Sequence, residues 1–138
     1  MMQNDLILPD LKDRIQALFI DLIVTFLFAF IVTKIFESIG EVSDTTRLWT
    51  FVFVFILYDP LLTSIIGGTL GHRALNLRVK RNNDPKKNIS FPVAVFRYVI
   101  KATVGIVSLL AVSMNANGRA IHDLVSGSIV IVNHKNEV

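Results

Sequence analysis

Apolar residues in this chain gather into long blocks rather than stripes. From Ile15 to Thr33, nineteen residues are broken only by Gln16, Asp21, Thr25 and the closing Thr33. From Leu48 to Ile66, another nineteen are broken mainly by Asp59-Pro60. About 20 such residues span a hydrocarbon core, and neither block carries the polar stripe of a soluble amphipathic helix. The pattern predicts transmembrane helices over about 15–36 and 48–66, with Trp49 as an interfacial anchor. A third block, about 93–114, opens like a helix, since Ser90 suits a cap and Pro92 a first turn. Arg97 and Lys101 interrupt it, leaving thirteen uncharged residues from Ala102 to Met114. That length fits a re-entrant segment as well as a spanning one.

Two β-like runs flank the third block, Leu75 to Arg81 and Ser128 to His134, both rich in β-branched residues. If they pair, the block enters and leaves by one face; if it spans, they lie on opposite sides. The expected fold is an all-α integral membrane bundle of two transmembrane helices plus a third spanning or re-entrant segment. Short β-pairing on the cytoplasmic face is a possible addition. We expect one domain over residues 1–138, with a basic loop 67–90 and a tail 115–138.

Charge gives the orientation. The first connection holds Glu37, Glu41 and Asp44 against Lys34 and Arg47, while the second holds Arg73, Arg78, Lys80, Arg81, Lys86 and Lys87 against Asp84. The positive-inside rule places the basic loop and the N-terminus in the cytoplasm, in an inner (cytoplasmic) membrane. Composition agrees: 52% hydrophobic and 18% charged, against about 25% charged in soluble domains. With no cysteine, disulfides, thiolate metal sites and cysteine nucleophiles are excluded. Acids among the first fourteen residues replace the basic region of a signal peptide, so the N-terminus is expected to stay on the mature protein.

The charges inside the apolar blocks carry the chemistry. Asp21 lies seven residues past Arg14 and Asp59 eight before Gly67, roughly 10 and 12 Å from the same face at helical rise. A charge at a helix centre costs about 2.5–3.5 kcal/mol and usually faces a partner or water. Two acids at one level repel unless a cation or proton intervenes. Arg97 is the expected counter-charge, with Lys101 one turn deeper, and Arg14 shares a helix face with Asp21 and can snorkel. One reading is a cluster that binds or relays a monovalent cation or proton. The other is a set of ion pairs that only hold helices together. Pro60 frees a backbone carbonyl beside Asp59.

Gly67 to Lys80 places three glycines at a helix exit, but no Gly-Lys-Ser/Thr follows and a P-loop is excluded. Tight backbone passage is expected there, with Arg73, Arg78, Lys80 and Arg81 on anionic lipid headgroups. His122 and Asp123 are adjacent and point apart on a helix, which argues against a catalytic pair. No metal site, cofactor or enzyme is expected.

In order along the chain, "RIQALFID", "LYDPLL", "GGTLGHRALNLRV", "VFRYV" and "HDLVSGSIVIV" together resemble the RDD family of membrane proteins. The resemblance covers roughly Arg14 to Val132. It implies signature positions at Arg14, Asp21, Asp59, Gly67, Thr69, Gly71, Arg97, His122, Asp123 and Gly127. Ser128 stands where the family usually has Thr, and His72 where it often has Lys. Some members are linked to sodium/proton exchange, which suits paired intramembrane acids. The expected role is cation or proton binding or transport by a small inner-membrane protein; the alternative is a non-transporting adaptor or scaffold. Expected partners are membrane lipids, monovalent cations or protons, and further copies or a larger membrane complex, with no nucleic acid.

Overall fold

The computed structural model describes residues 6–133. Helix α1, Leu11–Ile39, has 29 residues, about 43 Å at 1.5 Å per residue, and exceeds the roughly 30 Å of a hydrocarbon core. Helix α2, Asp44–Val52, begins at Ser43, whose hydroxyl accepts the Thr46 N–H at 3.2 Å. It continues through a π-helical turn, Phe53–Leu57, into α3, Tyr58–Ile66. The π turn ends three residues before Pro60, which has no N–H for the carbonyl one turn back, within that π turn, and crowds it. Together Asp44–Ile66 forms the second helix long and apolar enough to cross a membrane. Gly67 closes it in the left-handed conformation, φ 79°.

The basic loop is structured. It holds a short helix α4, Leu70–Ala74, capped by the Thr69 side chain, and a strand β1, Leu77–Arg81. Helix α5, Phe91–Val104, follows with Pro92 in its first turn; Ser90 occupies the cap position without a side-chain bond. Helix α6, Ile106–Met114, is bent 96° from α5 at Gly105. Helix α7, Ile121–Ser126, then leads into strand β2, Ser128–Val132. The strands pair antiparallel, with Leu77 opposite Val132 and Arg81 opposite Ser128. His134 lies outside the described residues.

That pairing decides the form of the third block. Its two ends return to one end of the bundle, joined through a helix pair bent by 96° rather than one straight span. Helix α5 alone reaches about 21 Å, short of a crossing. Helix α6 then packs against the start of α1, where Leu109, Val112 and Ala120 meet Leu11, Ile15 and Leu18. The main core lies beside the sheet and joins Ala17, Leu77, Val79, Ile89, Ala94 and Val130. Along α1 the remaining surface is apolar and open: Phe19, Ile23, Phe26, Leu27 and Phe30 are all more than half exposed. A belt of this kind needs an apolar surrounding.

Candidate functional site

Arg14, Ala17 and Asp21 are the buried residues of α1, and their spacing of three and four puts them on one face. The small side chain of Ala17 lets α4 approach closely. A Cβ at Gly71 would stand 2.1 Å from the Ala17 carbonyl oxygen and 2.8 Å from Asp21 Cγ. Only glycine fits there, and its N–H donates to Asp21 Oδ1 at 2.8 Å. Thr69 Oγ1 donates to Asp21 Oδ2 at 2.5 Å, and the Tyr58 hydroxyl to Oδ1 at 3.1 Å. Tyr58 is itself fixed by accepting the Leu70 N–H at 3.2 Å. His72 Nδ1 stands 3.8 Å from Asp21 Oδ2. Among the described residues, no arginine or lysine forms an ion pair with Asp21.

The basic side chains go elsewhere. Arg14 Nη1 donates to Asp123 Oδ2 at 2.5 Å, and Nη2 to the Gly118 carbonyl at 3.2 Å. Arg97 Nε donates to Asp123 Oδ1 at 3.0 Å, while its Nη1 lies 3.8 Å from Asp59 Oδ1. Lys101 Nζ reaches Asp59 Oδ2 at 2.6 Å, and Thr63 Oγ1 donates to Asp59 Oδ1 at 3.0 Å. The result is a continuous chain of charge, Arg14–Asp123–Arg97–Asp59–Lys101, drawn from α1, α7, α5 and α3. Arg97 therefore serves Asp123 and Asp59 rather than Asp21. The reason is packing: α5 lies on α3 and α7, while the Asp21 face of α1 lies on α4. Arg14 does not snorkel outward, being 4% exposed.

Burial works against ionisation of Asp123, but Arg97 and then Arg14 outweigh it and hold its carboxyl far below the usual range. Burial, followed by Lys101 and Arg97, pushes His72 down to about 3. Burial and then Arg97 push His122 to about 3 as well. Both histidines are thus neutral at pH 7. His122 Nδ1 lies 2.6 Å from Ser108 Oγ, and its Nε2 lies 3.5 Å from Asp123 Oδ1. Gly127, φ 64°, ends α7 as Gly67 ends α3. Of the basic residues near the sheet, Arg73 and Arg81 are exposed while Arg78 and Lys80 are half-buried. Burial lowers both Arg78 and Lys80, and Lys80 donates to Asn88 Oδ1 at 2.7 Å.

Asp21 and Asp59 meet at a cavity of about 320 Å³ between α1, the α2–α3 helix and α5. Tyr58, Tyr98 and Lys101 add polar groups to a wall otherwise mostly apolar. Among the described residues, no group of three or more His, Asp or Glu is placed to hold a metal ion. Tyr58, Thr63 and Ser108 join the site without being singled out by the sequence pattern, which marks Lys101 only as lying one turn beyond Arg97. A signal existed for Lys101, since i and i+4 share a helix face. Single hydroxyls within apolar runs give none. The family model described as RDD family matches residues 8–127. No curated protein and no solved structure matches the chain.

Proposed function

This chain belongs to the RDD family, and we propose that its cavity binds and exchanges a monovalent cation or a proton at Asp21. The observation that carries this is an asymmetry between the two acids on the cavity wall. Asp59 is neutralised by Lys101 at 2.6 Å and faces Arg97 at 3.8 Å. Asp21 is held by three neutral donors, from Thr69, Gly71 and Tyr58. A buried carboxylate without a basic partner is completed by a proton or a small cation. Lys101, on the same wall, restrains a second cation from occupying the Asp59 side. The three donors fix the carboxylate's orientation, so a bound ion meets it without reorganisation.

Two spanning helices and a re-entrant segment enclose little space, so a pathway across the bilayer is completed by further copies. The basic residues near the sheet, with Arg73 and Arg81 exposed, suit anionic headgroups at the cytoplasmic face of an inner membrane. The test is cation and proton flux in proteoliposomes. Wild type should carry flux, Asp21→Asn should abolish it while keeping the fold, and Asp59→Asn should unfold more readily because Lys101 and Arg97 lose a partner. Wild type without flux, or Asp21→Asn with flux unchanged, overturns the reading. An adaptor that holds anionic lipid would then be the better account.

A further inference from the structure

Thr69 carries the contact of Asp21 onward to a histidine. Its Oγ1 lies 2.5 Å from Asp21 Oδ2 and 2.6 Å from His72 Nδ1. A hydroxyl has one proton to donate, so this row has two self-consistent arrangements. With Asp21 ionised, Thr69 donates to the carboxylate, Nδ1–H donates to Thr69, and Nε2 carries a lone pair. With Asp21 protonated, the carboxyl donates to Thr69, Thr69 donates to Nδ1, and Nε2 carries the hydrogen.

His72 also lines a void of about 20 Å³ together with His122, Arg14, Arg97 and Lys101. One water needs at least about 10–15 Å³ and two to four polar partners. Arg14 Nε and Arg97 Nη1 are buried N–H groups with no hydrogen-bond partner, and each belongs to a residue of that lining. A water accepts from such groups and donates to an imidazole nitrogen, which suits it to this place.

We propose that this void holds one water, and that Asp21 exchanges its proton with that water through Thr69 and a change of tautomer in His72. The inference rests on the reading of Asp21 as the exchange group. For inward transfer, the water gives a proton to His72 Nε2, His72 releases its Nδ1 proton to Thr69 Oγ1, and Thr69 passes its own to Asp21 Oδ2. The hydroxide left on the water takes a proton from solvent, and the reverse sequence unloads Asp21. Net transfer is one proton, and the ring is neutral before and after. The charged and titratable groups around the ring are Arg14 and Asp21 on α1, Asp59 on α3, Arg97 and Lys101 on α5, and His122 and Asp123 on α7. Burial first, then Lys101 and Arg97, outweigh Asp59 and Asp123 and bring the ring to about 3.

The experiment is a pH jump on the full chain in lipid nanodiscs, followed by time-resolved infrared absorption. The carboxyl band lost in Asp21→Asn identifies the group. Thr69→Val should keep that band but slow its response by about 100-fold, the low end of a positioned proton-transfer contribution. Thr69→Ser should restore it. Equal rates in wild type and Thr69→Val, with the band still titrating, overturn the relay and leave Asp21 as an exchange group. Absence of any band tied to Asp21 overturns both. Nitrogen NMR of labelled histidine in wild type gives a measure that needs no relay variant. The His72 signal should change from the Nδ1–H to the Nε2–H form as Asp21 protonates, and one tautomer throughout overturns the relay.

Discussion

At Gly71 a single methyl group decides whether Asp21 keeps its donors. The backbone there is not in the left-handed region; the constraint is space, with a Cβ falling 2.1 Å from the Ala17 carbonyl oxygen. Gly71→Ala must push α4 away from α1, and we expect a loss of about 1–3 kcal/mol, as for overpacking elsewhere, measured by unfolding in detergent. Arg97→Met removes a guanidinium shared by Asp123 and Asp59, both at most 4% exposed. Breaking a buried pair in this way costs about 3–5 kcal/mol, so this variant should be much less stable than wild type by the same measurement. The two histidines set a pH dependence. Each sits near 3 when folded against 6.5 when not, so the unfolded chain takes up their protons first. Their contribution to stability is complete above about 6.5 and is lost as pH falls toward 3. Each adds a slope of at most about 1.4 kcal/mol per pH unit. His72→Gln should therefore flatten the acid limb of the stability curve, and an unchanged limb would contradict the assignment. Asp59 and Arg97 were legible as misfits in apolar runs, whereas Arg14 stood before the first run and Asp123 lay in the tail beside His122. Their pairing was not, because which carboxylate an arginine reaches depends on which helices pack together.

Among the elements, the third block shows where local pattern runs out. Thirteen uncharged residues are compatible with either a crossing or a return, and the deciding contact is a strand pair that closes over forty residues. The two spans, by contrast, were legible as elements because a bilayer demands continuous apolar length from a single segment. The bend itself is set by Gly105, at φ 59° and ψ −139°, a region open essentially to glycine. No atom lies within 4 Å of a Cβ placed there, so Gly105→Ala isolates the backbone term. We expect it to cost about 1–3 kcal/mol in thermal unfolding, with the 96° turn between α5 and α6 strained rather than crowded. A variant as stable as wild type would mean that the turn does not need this conformation.

For the whole molecule, the strand pair and the two spans together fix a topology. Both strands lie at the end of the bundle where α1 begins and α3 finishes, and the α1–α2 connection lies at the other end. With α1 and the α2–α3 helix crossing a bilayer, the two ends of the bent α5–α6 segment are expected to face one compartment with Arg73, Arg78, Lys80 and Arg81, and Ser43 the opposite one. Because the chain has no cysteine, single cysteines report position without background. Asn83, Asn133 and Ser43 are all exposed, which suits them to the substitution. In vesicles of uniform orientation, a membrane-impermeant thiol reagent should label Asn83→Cys and Asn133→Cys from the same side, and Ser43→Cys only from the other. Labelling of Asn133→Cys together with Ser43→Cys would require the third block to cross the bilayer. It would also require the pairing of Leu77 with Val132 to break, and with it the contact that brings Asp123 on α7 within reach of Arg14 on α1. The charge chain and the topology therefore stand or fall in one measurement.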